Sequence, residues 1–71
     1  MKTTVASSMI AAIEYNSETF ELIVHWVRGG QQSYYNVPQS VHDSFIAADS
    51  VGKFYNSNIK GKYALPVEEE L

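Results

Sequence analysis

The apolar pattern of this chain changes period at Pro38, and that change restricts what it can fold into. Phe20, Leu22, Val24 and Trp26 alternate with Glu21, Ile23, His25 and Val27, the period of a strand with one face on a core. Beyond the proline, Val41, Phe45 and Ala48 recur at helical spacing, with Val37 one turn earlier. Pro38 has no N–H for a ladder, fixes φ, and biases Val37 toward extended backbone, so the strand half stops there. Just before it, Tyr34 and Tyr35 are adjacent on an extended backbone and point to opposite faces, one ring toward a core and the other outside.

Reading outward from this junction, residues 1–7 lack periodicity and are expected as a flexible leader or a short edge segment. Residues 8–15 are a strand marked by Ile10, Ile13 and Tyr15, although that spacing is imperfect for period two, and Asn16-Ser17-Glu18 is its turn. Residues 20–27 form the second strand, Arg28-Gly29-Gly30 the second hairpin, and residues 31–36 the third strand. Ser40-Val41-His42-Asp43 resembles a capping box that opens a helix ending near Ala48. Asp49 or Ser50 caps a second helix with Val51, Tyr55 and Ile59 on one face, Phe54 broadening it, and Gly61 at its exit. The expected fold is therefore α+β, a three-stranded antiparallel meander followed by two short helices over residues 8–63, with an acidic tail over 64–71. Its core is expected from Ile10, Ile13, Leu22, Val24, Trp26, Val37, Val41, Phe45, Tyr55 and Ile59.

A domain of 71 residues buries only about 60% of its unfolded surface, so its stability is marginal without help. With no Cys, disulfides, thiolate catalysis and Cys-ligated zinc are excluded. Oligomerisation remains, and Ile23 and Val27, on the reverse of the second strand, suggest a homo-oligomer interface. No apolar run approaches a membrane span and no signal-peptide core follows the first residues, so a cytoplasmic protein with no membrane partner is expected. The net charge of −3 comes from Glu68-Glu69-Glu70, leaving a neutral body in which Lys53, Lys60 and Lys62 lie apart from Glu14, Glu18 and Glu21. Three lysines are far fewer than a strongly basic nucleic-acid footprint.

Four groups of residues carry candidate chemistry. The outward ring of the Tyr34-Tyr35 pair can stack on a base, where packing is the simpler role for the other ring. Ser50-Val51-Gly52-Lys53 is the best phosphate candidate, combining a helix start, a glycine and a cation, though an ordinary cap explains the same residues. Asn56 and Lys60, four apart, share a helix face that can contact an anion or simply be solvated, while Arg28 in the hairpin can join it. His25 and His42 are the only histidines and have no metal-ligand spacing, and no nucleophile has a base at a recognisable distance. Neither a metal, a cofactor nor catalysis is expected.

Ser7-Ser8, Ile10, Tyr15, Leu22-x-Val24-x-Trp26, Gly29, Tyr34-Tyr35-x-Val37-Pro38, Ala48, Ser50-x-Gly52-x-Phe54-Tyr55-Asn56, Ile59-Lys60 and Tyr63, taken in order, resemble the KTSC domain. That small module is named for its place at the C-terminus of some lysyl-tRNA synthetases, and it also stands alone in bacterial and phage proteins. Trp26 stands where members usually carry Phe, and Gln32 replaces another common aromatic, interrupting an aromatic platform on that strand. The resemblance implies, through the synthetase association, RNA binding. The expected function is a non-catalytic binding module for RNA or a nucleotide, using Tyr34 or Tyr35 with Ser50, Gly52, Lys53, Asn56 and Lys60. The alternative is a self-assembling phage-type inhibitor that sequesters a signalling nucleotide or blocks a host protein target.

Overall fold

A computed structural model describes residues 2–63. Its strands β1 (Lys2–Thr4), β2 (Ile10–Asn16), β3 (Glu21–Trp26) and β4 (Gln31–Tyr34) form one antiparallel sheet in chain order. Helix α1 (Gln39–Ala47) follows, then α2 (Val51–Phe54), which runs on into a π-helical turn, Tyr55–Ile59. The expected α+β order holds, with four strands rather than three. The extra strand lies within the residues expected as a leader, where Thr3 pairs with Ile13 and Val5 N–H donates to Ala11 O. Lys2, Thr3 and Thr4 are polar and carry no periodic signal, and the edge of β2 is what orders them. The acidic tail expected over 64–71 lies outside the described residues.

A β-bulge accounts for the odd spacing in β2. Ile10 faces Trp26 while Ala12 faces His25, so one additional residue of β2 is taken up opposite a single step of β3. Ile10 and Ile13, three apart, thereby reach the same buried side as Tyr15, Leu22 and Val24. The β2–β3 turn is longer than expected. Glu18 N–H donates to Asn16 Oδ1, Phe20 N–H to Asn16 O, and Phe20 closes the turn at φ 62°. Its left-handed backbone takes Phe20 out of the strand alternation and leaves it half exposed rather than in the core. At the other hairpin the paired glycines adopt φ 110° and 85°, which only glycine tolerates easily.

Both helical segments pack on one sheet face. Helix α1 starts at Gln39 with Pro38 in the cap position, so Ser40 lies inside the first turn and the expected capping box is not formed. Asp43 Oδ1 instead meets His42 Nδ1 at 3.1 Å. The His42 ring is fully buried, stacks on Tyr15 with centroids 4.7 Å apart, and has its Nε2 unpartnered among the described residues. The Tyr15 hydroxyl donates to Val37 O at 2.6 Å, tying the strand-to-helix junction to the middle of the sheet. Burial and the nearby Asp43 charge push the Tyr15 phenol upward. Val37, Phe45, Val51, Tyr55 and Ile59 complete the core; Trp26 and Val41, expected inside, pack against it while partly exposed. A fully buried aliphatic or aromatic side chain contributes about 1.5–3 kcal/mol, so these positions dominate stability in so short a chain.

Candidate functional site

The pair before Pro38 is divided by the sheet. Tyr34, level with Leu22, faces the helices and is 3% exposed. Its hydroxyl meets the Tyr55 hydroxyl at 2.5 Å, and burial together with that bond raises its pKa. Tyr34 is therefore a core residue with no face free for stacking. Tyr35, next in the chain, alternates to the open face and is partly exposed. The sheet lies between that face and the helical segments that carry Lys53, Asn56 and Lys60. The expected union of a central tyrosine with the second helix is not built within one chain.

Ser50 does cap α2. Its Oγ accepts the Lys53 N–H at 3.3 Å, so one of the donors that a phosphate cradle would use is already taken. Gly52 is not sterically compelled: an added Cβ would stand 3.6 Å from Met9 Cε, an ordinary contact. Lys53, Asn56 and Lys60 are exposed, the latter two each one position past a buried anchor, Tyr55 and Ile59. The π-helical turn sets those anchors, and Lys60 N–H closes it by donating to Tyr55 O at 2.8 Å.

A cleft of about 360 Å³ opens at the glycine hairpin, lined by Met9, Trp26, Arg28 and Gly29. This size is at the lower end for small-molecule sites. Trp26 is partly exposed there and is held edge-on by Tyr55, with ring centroids 5.1 Å apart. Through Met9 and its approach to Gly52, the cleft adjoins the turn that carries Lys53. Trp26 was expected as core and Arg28 only as an accessory; Met9 carried no signal, because its role depends on the bulged end of β2. A larger hollow of about 500 Å³ lies at the opposite end of β3, bordered by Glu14, Glu18, Glu21 and Ile23. The two histidines lie on opposite sides of the sheet, His25 bonded to Glu14 at 3.1 Å and His42 inside. Among the described residues no cluster of three or more His, Asp or Glu has metal-binding spacing, and no helix is long and apolar enough to cross a membrane.

An antiparallel four-stranded meander with two helical segments on one face, and a small aromatic and cationic cleft at its hairpin end, defines a compact α+β module. The chain belongs to the KTSC domain family, whose model matches residues 6–63. It is 36% identical over 59 residues to a protein of Tsukamurella paurometabola, covering 83% of this chain and 88% of that protein. It is also similar to the crystal structure of a KTSC domain protein from Yersinia pestis, with a TM-score of 0.86 and 33% identity over 90% of each chain.

Proposed function

We propose that this chain is a non-catalytic binding module for a nucleotide or the end of a short single-stranded RNA, held in the Met9, Trp26, Arg28 and Gly29 cleft. The observation that carries this reading is the meeting, at one opening, of a partly exposed indole and a guanidinium, with Met9 of the same lining lying next to Gly52 in the turn that precedes Lys53. A base stacked on an aromatic ring contributes about 1–3 kcal/mol and tolerates any base. Arg28 and Lys53 add charge-assisted contacts to phosphate. The near-neutral body favours one or two phosphates over a long backbone, whose binding depends on many neutralised charges. This reading changes the composition of the expected site: Trp26 takes the stacking role in place of the buried Tyr34, and Tyr35, Ser50, Gly52, Lys53, Asn56 and Lys60 do not line the cleft.

Trp26 is the single Trp of the chain, so its fluorescence reports on the cleft directly. Titration at low salt with nucleoside monophosphates, cyclic dinucleotides and short RNA is expected to change that emission saturably for at least one of them. Lys53→Glu should weaken the response without altering the far-ultraviolet circular dichroism. An emission unaffected by every one of these compounds sinks the reading.

A further inference from the structure

Given the binding role proposed for the hairpin cleft, on which this rests, we infer that its ligand is an aromatic base carrying a terminal phosphomonoester, selected by the phosphate and not by the identity of the base. The backbone around the cleft is already committed. Met9 N–H donates to Ser7 Oγ at 3.1 Å and Met9 O accepts the Val27 N–H at 3.0 Å, while Trp26 N–H donates to Gly30 O and Gly29 N–H to Trp26 O, each at 3.1 Å. Three of the four lining residues therefore have no amide hydrogen left for a ligand, and hydrogen bonding falls to side chains. Of these, Arg28 alone is charged. It is exposed, has no ion-pair partner among the described residues, and presents its N–H donors in a planar fork.

Reading a base by its edge takes a carboxylate or an amide for the exocyclic amino groups, as Glu or Asp does for cytosine and Asn or Gln for adenine. The lining has neither. Met9 and Trp26 offer a thioether and an indole, which hold any base by dispersion and stacking. Trp26 is braced edge-on by Tyr55, whose hydroxyl is bonded to that of Tyr34, so the platform is in place before a ligand arrives. The guanidinium is left for phosphate, whose oxygens match its fork two at a time. Guanine N7 and O6 also fit that fork, but they are neutral acceptors and the charged phosphate is the stronger one. A terminal phosphate presents three free oxygens and about −1.5 to −2 charges at pH 7, where a diester has two oxygens and one charge, so a single unopposed cation favours the monoester. The carboxylates of Glu14, Glu18 and Glu21, which would repel it, border the hollow at the opposite end of β3. A volume of about 360 Å³, at the lower end for such sites, suits one nucleotide and not a chain of them.

The probes are the four nucleoside 5′-monophosphates, the matching nucleosides, a dinucleoside monophosphate whose phosphate is a diester, and a trinucleotide with and without a 5′-phosphate, titrated at low salt by calorimetry and by Trp26 emission. The monophosphates should bind within about threefold of one another, and each roughly tenfold or more tightly than its nucleoside or the diester. Arg28→Gln, at an exposed residue, should bring the monophosphates down to the level of the nucleosides and leave the nucleosides unchanged. A phosphorylated trinucleotide that matches the monophosphates assigns the phosphomonoester to an RNA end, and one that binds roughly tenfold more weakly assigns it to a free mononucleotide. The unphosphorylated trinucleotide should resemble the diester. A diester or nucleoside bound as tightly as the monophosphates, a preference of roughly tenfold for one base, or an Arg28→Gln variant without effect overturns this ligand class while the cleft stands as a binding site. Silence from every probe overturns the binding role of the cleft, and the ligand class with it.

Discussion

Replacing Tyr34 or Tyr55 by Phe removes one hydroxyl from the bond between β4 and the π-helical turn, leaving the other oxygen in a site where Tyr34 is 3% and Tyr55 8% exposed. Losing the bond and stranding a buried hydroxyl costs about 1–2 kcal/mol. In a domain of this size each kcal/mol moves Tm by roughly 4–8 °C, so either variant should melt about 5–15 °C below the parent. The double replacement deletes both oxygens and keeps both rings, and with them the edge contact at 6.1 Å between centroids. No stranded group then remains. Its cost should be close to that of one single variant, giving a coupling of about 1–2 kcal/mol in a double-mutant cycle. Urea unfolding followed by circular dichroism measures all four proteins, with unchanged slopes confirming comparable unfolding. If the single losses simply add in the double variant, the two hydroxyls do not act as a pair and the reasoning fails.

The same chemistry predicts a loss of stability in alkali. Tyr15 and Tyr34 both have raised pKa values, mainly from burial, so the unfolded chain gives up these protons first, near the ordinary tyrosine range of about 10. Their contribution is full below that pH and is lost as pH rises through it toward the folded values, by up to about 1.4 kcal/mol per pH unit per group; Tyr34→Phe should flatten the decline in a pH series of urea midpoints. Ser50→Ala removes the acceptor for Lys53 N–H and should cost about 1 kcal/mol by chemical denaturation, with no loss of sheet signal. Gly61 sits at φ 75°, just past the π-helical turn, and Gly61→Ala should cost about 1 kcal/mol in the same assay although open space surrounds it.

What could be read along the chain concerns neighbours in sequence. The alternation of Leu22, Val24 and Trp26, the helical recurrence of Phe45, Tyr55 and Ile59, the Ser50 cap and the turn at Gly29-Gly30 all follow from backbone preferences and periods that act over a few residues, whereas the last strand ends at Tyr34, short of the stop expected at Val37-Pro38, with Asn36 at φ 62°. The family resemblance adds to them without altering that physics. Trp26 shows where such reading stops: its period placed it inside, yet it rims a cleft because Met9, Arg28 and Gly29 leave one side of its ring uncovered.

Tertiary structure decided the remainder, and in each case the cause is a pairing between distant segments. The bulge at Ile10 and Ala12 turned an irregular apolar pattern into one buried face, and the edge of β2 ordered Lys2–Thr4. The left-handed closure at Phe20 removed a large ring from the core, while stacking on Tyr15 drew His42 into it. Most consequential is the division of Tyr34 from Tyr35. A strand fixes that adjacent side chains part, but which one enters the core depends on the register with Leu22, and that register put Tyr34 inside and left Tyr35 on the face away from the helical segments.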